Sequence, residues 1–105
     1  LVTALWQEFI VILQRIMLRI EEFYEVPGAL ELGEEFARLS GYELADTPYE
    51  SSFAGYKDWF IQKFRRPGYT IEAGSGQNPL PIEQFPEIYR DNLGILVTAA
   101  LGLPR

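Results

Sequence analysis

Histidine and cysteine are both absent from this sequence. Without cysteine, the chain forms no disulfide and has no thiol chemistry. Without histidine, a Ser-His-Asp triad and a complete histidine-containing zinc site are excluded within the chain. A metal held by this chain alone would need carboxylate ligands. The two absences therefore narrow the chemistry that the chain can carry by itself.

Positive charge is scarce in the sequence. Nine basic residues stand against 15 acidic ones, which gives a net charge of −6. Nucleic acids and anionic membrane surfaces both attract basic patches, so we expect neither as a partner. Hydrophobic residues make up 48% of the 105 residues, enough to bury the core of one small domain.

Long apolar runs are also lacking. The longest unbroken run in the N-terminal segment is Phe9 to Leu13, far shorter than a membrane span. The segment has neither a basic start nor a small-residue cleavage site, so we predict no membrane span and no secretory signal.

Residues 1–28 form an apolar segment that has two interpretations. As a helix, its polar residues Glu8, Arg15, Arg19 and Glu22 fall on one narrow stripe, and the wide apolar face would bury in a core or in a homodimer through residues 2–24. As a strand, "EFIVIL" would be buried, because β-branched and aromatic residues cluster there. We predict the helix and keep the strand as the alternative.

Helices and short strands are predicted after residue 28. Apolar spacing predicts a helix over residues 30–40 that stops at Gly41, then a short strand at "YEL". "YKDWFIQKF" predicts a helix ended by Pro67 and Gly68, and "YTIEA" predicts a strand. A closing helix follows a glycine-rich loop, with these residues expected to face a core: Phe85, Ile88, Leu93, Leu96 and Val97. The fold class is therefore α/β, with helices packed on a short sheet.

Glu72 is the candidate with the most chemical interest. It shares one face of the predicted strand with Thr70 and lies just before "GSG". The glycines match no phosphate-binding motif and indicate a turn. From the pattern alone, Glu72 is either a solvated surface acid or a general base at a strand end.

A family resemblance bears on this choice. From about residue 29 to 101 the chain resembles the C-terminal part of the zinc carboxypeptidases of the carboxypeptidase A type. It is most similar to bacterial γ-D-glutamyl-diamino acid endopeptidases that cut peptidoglycan stem peptides. The stretches that carry the resemblance are "EEFARLSGYEL", "TPYESSFAGYKDWF" and "PGYTIEAGSGQNPLP". It implies a C-terminal fragment of an α/β/α domain over residues 29–105 and a cell-wall or sporulation compartment, whereas residues 1–28 match no part of the family.

The resemblance also implies roles for three residues. Glu72 matches the family's catalytic glutamate, which takes a proton from zinc-bound water. Tyr49 matches a mobile tyrosine that closes over the substrate. Lys57 matches a position at the base of the substrate pocket, where a positive charge would suit the extra carboxylate of diaminopimelate. The alternative for Lys57 is a solvated helix lysine.

The resemblance does not extend to the zinc ligands. The family binds zinc through a His-x-x-Glu pair and a later histidine, and this sequence has none of the histidines. Zinc therefore belongs to the intact family enzyme, and we expect none to bind this chain alone. Two interpretations follow: a truncated or frame-disrupted metallopeptidase domain that is inactive alone, or a non-catalytic α/β interaction or structural domain with a replaced N-terminal element.

Overall fold

A computed structural model describes residues 8–12, 15–19, 22–46 and 55–102. The elements in chain order are β1 (Phe9–Ile12), β2 (Arg15–Arg19), β3 (Glu22–Glu25), α1 (Ala29–Ser40), β4 (Glu43–Asp46), α2 (Tyr56–Phe64), β5 (Tyr69–Glu72), a 3₁₀ turn (Ile82–Gln84) and α3 (Phe85–Leu101). The mixture of helices and strands confirms the predicted α/β class.

Strand β1 is the centre of a mixed three-stranded sheet with the order β4-β1-β5. It runs parallel to β4 and antiparallel to β5. In this register Phe9 lies opposite Glu72, and Ile10 lies opposite Ile71. Strands β2 and β3 form a separate antiparallel pair. The sheet thus connects the N-terminal segment to the strand that carries Glu72.

The helical prediction for residues 1–28 is wrong where the structure describes this segment. Residues 9–12, 15–19 and 22–25 are strands, and the alternative of a strand within "EFIVIL" is confirmed for Phe9–Ile12. The physical reason is pairing, since β1 finds hydrogen-bonding partners on both edges. The helical face proposed for a homodimer through residues 2–24 is therefore absent from the described part, while dimerisation itself stays a prediction.

Helix α1 follows the sequence closely. It begins at Ala29 and ends at Ser40, and Phe36 in its buried face is 2% exposed. Gly41 takes the left-handed conformation at φ 78°, and its N–H bonds the Ala37 carbonyl at 2.8 Å. Glycine adopts this dihedral without steric cost, so the predicted stop is confirmed.

The core consists of two clusters joined by shared neighbours. One cluster contains Ile10, Phe36, Tyr42 and Ile95, and the other contains Val26, Ala29 and Ile61. Leu44 and Tyr69 pack against both clusters. The ring of Tyr69 meets that of Phe36 edge to face at 5.1 Å between centroids. Strand β5 is therefore anchored in the core three residues before Glu72.

Helix α2 has the predicted residues but a different stop. It ends at Phe64, where Arg65 adopts a left-handed conformation at φ 55°, and not at Pro67.

No helix within the described segments is long and apolar enough to cross a membrane.

Helix α3 exists as predicted, but its predicted core face is wrong. Phe85, Leu93, Leu96 and Val97 are exposed by 59%, 45%, 64% and 49%. Ile88 is half-buried, and Ile95 is the residue of α3 that is buried. The helix packs by this other side on α1 and the sheet, and a small sheet covers only one side of a helix.

Candidate functional site

Glu72 is the last residue of β5 and is half-buried. The pairing of Glu72 with Phe9 fixes its main chain at the edge where β1 begins. The predicted strand and its abrupt end in glycines are both confirmed. Glu72 therefore lies at a strand end, which is a position where a carboxylate can face a ligand.

The loop after Glu72 is packed tightly at Gly74. This glycine is buried and has φ 85°. A Cβ added here would lie 3.1 Å from Ile88 Cδ1 and 3.2 Å from Gln84 Oε1, and it would overlap the Leu80 side chain. Both the dihedral and the lack of space therefore require glycine.

Gln84 forms hydrogen bonds with Ser75, the next residue of the same loop. The Ser75 N–H donates to Gln84 Oε1 at 3.0 Å, and Gln84 Nε2 donates to the Ser75 carbonyl at 2.7 Å. Both main-chain groups of Ser75 are thus satisfied by one side chain. The loop that follows Glu72 is therefore held against the start of α3.

Glu8 is a second carboxylate beside this loop. It lies directly before β1, and its carboxylate accepts a hydrogen bond from the Gly74 N–H. Burial raises the pKa of Glu8 above its ordinary value, as do the charges of Asp91 and Glu87 on α3, and the Gly74 hydrogen bond partly opposes this. No pattern in the sequence signals this contact, because it depends on the register of β1 against β5.

Tyr42 and Asn92 lie near the same carboxylate. Asn92 Nδ2 donates to the Tyr42 hydroxyl at 3.0 Å and to the Ile88 carbonyl at 2.8 Å. Burial raises the pKa of Tyr42, and the charge of Glu8 raises it further. The Tyr42 hydroxyl therefore stays protonated at neutral pH, as a polar group at the edge of the core.

Lys57 is enclosed in the first turn of α2. Its Nζ lies 3.0 Å from Asp58 Oδ1, and Asp58 Oδ2 accepts a hydrogen bond from the Gly55 N–H at 2.9 Å. The Lys57 and Asp58 side chains are only 11% and 8% exposed. The interpretation of Lys57 as a solvated helix lysine is therefore wrong, because its ammonium is paired and mostly buried.

Two of the three residues implied by the resemblance lie in the part of the chain that the structure describes. Glu72 ends β5 and Lys57 lies in α2, and no hydrogen bond or ion pair joins these two described residues. Tyr49 lies outside the described residues. The roles of all three remain predictions.

The zinc ligands that the resemblance implies include histidines. The full sequence contains no histidine. Within residues 8–12, 15–19, 22–46 and 55–102, no group of three or more His, Cys, Asp or Glu side chains could hold a metal ion. The described carboxylates near Gly74 thus form no such group.

Comparisons with known proteins identify an endopeptidase relative. The chain is 55% identical over 78 residues to γ-D-glutamyl-L-diamino acid endopeptidase 1 of Lysinibacillus sphaericus, a match that covers 72% of this chain and 19% of the relative. It is 48% identical over 63 residues to the uncharacterised protein YqgT of Bacillus subtilis strain 168, which covers 60% of this chain and 17% of YqgT.

These matches cover only part of each protein. The chain spans less than a fifth of the length of either relative. No protein-family model matches the sequence, and no solved structure is significantly similar to it. The resemblance to an endopeptidase is thus confirmed at the level of sequence similarity.

Proposed function

We propose that this chain is part of a metallopeptidase domain of the zinc carboxypeptidase family, whose whole-domain activity cuts γ-D-glutamyl-diaminopimelate bonds in peptidoglycan peptides. The observation that supports this most strongly is the 55% identity over 78 residues to a γ-D-glutamyl-L-diamino acid endopeptidase. Identity at this level over most of the chain favours common descent of the fold, and of Glu72 together with the residues around it.

Glu72 is the residue that we assign to catalysis in the whole domain. Its place at a strand end, next to a loop held by Gln84 and closed around Gly74, suits a carboxylate that must keep one position. Since the sequence contains no histidine and the described residues contain no group that could hold a metal ion, we expect the purified chain to hydrolyse no peptide, with or without added zinc.

Lys57 is proposed to recognise the extra carboxylate of a diaminopimelate residue. The ammonium already contacts Asp58, so a substrate carboxylate would share it with a second acid. A mostly buried charge of this kind makes a strong charge-assisted hydrogen bond. The expected contribution is therefore to substrate selectivity, with Asp58 holding the lysine in place.

A chimera tests the proposal directly. The matched stretch of the L. sphaericus endopeptidase is replaced by the corresponding residues of this chain, so that the relative supplies the remaining four-fifths of its own length. We expect this chimera to hydrolyse γ-D-glutamyl-diaminopimelate peptides. Glu72→Gln in the chimera should lower kcat by about 10²–10⁴-fold, the size typical for loss of a general base.

Matched variants separate catalysis from folding. Glu83→Gln changes an exposed glutamate in the 3₁₀ turn and should leave kcat unchanged. Lys57→Ala should raise KM for the diaminopimelate substrate more than for one that lacks the extra carboxylate. A chimera that is folded by circular dichroism but inactive would overturn the proposal, as would full activity of Glu72→Gln.

A non-catalytic interaction domain is the second candidate. The observation that favours it is the absence of histidine from the whole sequence, which leaves Glu72 without the family's metal in this chain. This candidate predicts the folded but inactive chimera. The same assay therefore distinguishes the two functions.

A further inference from the structure

Helix α3 exposes one continuous apolar face, which we call the α3 outer face. Its members are Phe85, Tyr89, Leu93, Leu96, Val97 and Leu101, and each is between 45% and 80% exposed. Five of them recur every four residues from Phe85 to Leu101, and Leu96 follows Leu93 by three, which places all six on one side of the helix. The face therefore runs the whole length of α3, about 25 Å at 1.5 Å per residue.

The opposite side of α3 is already used inside the chain. Ile95 is buried in the core, Asn92 bonds Tyr42, and Gly94 lies against Leu39 of α1. Helix α3 is thus apolar on two sides. Helices that are apolar all round are normally buried on all sides, and exposed apolar surfaces of this extent mark interaction sites.

A second copy of this chain would not cover all the exposed surface. Helix α2 presents Tyr56, Trp59 and Phe64 in mutual ring contact, and these rings are 49–79% exposed. In the described part, β4 and β5 are the two edge strands of the three-stranded sheet. A two-fold contact buries one patch per chain. Several separate exposed apolar surfaces favour a partner larger than a second copy of this chain.

The relatives show how large that partner would be. The match occupies 19% of the L. sphaericus endopeptidase, so four-fifths of that protein has no counterpart in the matched stretch. We propose that the α3 outer face is the docking surface for this remaining part of an endopeptidase-like domain, which presents an apolar face to Leu93 and Leu96. The proposal rests on the proposed function, because that function names the partner.

Charged residues at the border of the α3 outer face are typical of a specific protein interface. Arg90 and Glu87 lie beside the outer face, 73% and 70% exposed, with Arg90 Nη2 4.0 Å from Glu87 Oε1. An apolar centre with charged residues at its border is the usual anatomy of a protein interface. The partner's contact surface is therefore apolar at its centre and polar at its border.

Binding to a truncated relative tests this surface. The full chain is co-expressed with the L. sphaericus endopeptidase from which the matched stretch has been removed, and affinity is measured on the purified proteins. We expect a one-to-one complex in which Leu93→Glu and, as a second variant, Leu96→Glu weaken binding at least about tenfold. Gln62→Glu adds the same charge at an exposed position of α2 and should have little effect.

Each outcome of this binding experiment supports or contradicts the proposed docking surface. Both leucines are exposed, so circular dichroism should show that their variants keep the fold. Failure to form a complex would overturn the proposal, as would binding that neither leucine variant weakens. A dimer of this chain alone that Leu93→Glu dissociates would assign the face to a second copy instead.

The two proposals fail separately. A complex that forms through the α3 outer face but does not cut γ-D-glutamyl-diaminopimelate peptides would contradict the proposed function and leave the docking surface intact. An active chimera combined with no binding of the separate pieces would contradict only the docking surface.

Discussion

Gln84 holds Ser75 by both of its main-chain groups, accepting from the N–H at 3.0 Å and donating to the carbonyl at 2.7 Å. The pair joins the loop after Glu72 to the turn before α3. Because residues 73–75 belong to no strand or helix, these bonds replace the pairing that a strand would have given.

Gln84→Ala should loosen this loop. Loss of two hydrogen bonds at a partly exposed site is expected to cost about 1–2 kcal/mol of unfolding free energy. The Ser75 amide should exchange its hydrogen faster than in the wild type, which hydrogen-exchange mass spectrometry of the loop measures. Gln77→Ala removes an exposed glutamine from the same loop and serves as the control. Equal effects of the two variants would contradict the role of Gln84.

Gly74→Ala should destabilise the chain more than Gly76→Ala. Both glycines have positive φ, 85° and 114°, so alanine strains the backbone at each. Only at Gly74 does the new Cβ meet close neighbours, whereas nothing lies within 4 Å at Gly76. We expect an additional loss of about 1–3 kcal/mol at Gly74 from overpacking. Urea unfolding measures the difference, and equal losses would show that space around Gly74 does not matter.

Glu8→Gln should stabilise the chain at neutral pH. Because burial and the charges of Asp91 and Glu87 raise the pKa of Glu8, the folded state binds its proton more tightly than the unfolded state does. The resulting stability is present below the ordinary pKa of 4.5 and is lost as pH rises through the raised value. At pH 7 the carboxylate therefore opposes folding, and glutamine still accepts from the Gly74 N–H.

Thermal unfolding against pH checks this sign. The Tm of Glu8→Gln should exceed that of the wild type at pH 7, and the difference should shrink toward zero below pH 4.5. Glu43→Gln changes an exposed glutamate of β4 and is the matched control. A Tm gain that persists at low pH would show that the charge of Glu8 is not its cause.

The sequence predicted the elements whose signals are local. Gly41 marks the end of α1, the residues of α2 follow the apolar spacing of "YKDWFIQKF", and "YTIE" alternates as a strand. In each case the deciding residues lie within one turn or one strand of each other. The position of Glu72 at a strand end was therefore predictable.

Features that depend on distant residues were not predictable. Phe9–Ile12 is a strand because β4 and β5, more than 30 residues away, pair with it. Helix α3 buries Ile95 and not Leu93 because the sheet and α1 cover only one of its two apolar sides. The contact of Glu8 with Gly74 depends on the first of these arrangements, the pairing of β1 with β5. Pattern alone gives no information on such pairings.

Tyr69→Phe should show how much one hydrogen bond stabilises β5, the strand that ends at Glu72. The Tyr69 hydroxyl donates to the Ala29 carbonyl at 2.6 Å, which ties the strand to the first residue of α1. Burial raises the pKa of Tyr69, so the hydroxyl remains a donor throughout the neutral and mildly alkaline range. Phenylalanine keeps the edge-to-face contact with Phe36 and removes only the hydrogen bond. We expect a loss of about 0.5–1.5 kcal/mol of unfolding free energy, measured by urea unfolding, with an unchanged m value.

Tyr89→Phe is the control. It removes a hydroxyl from a residue that is 57% exposed and should cost almost no unfolding free energy. Equal costs for the two variants would mean that the bond to Ala29 does not stabilise the strand that ends at Glu72.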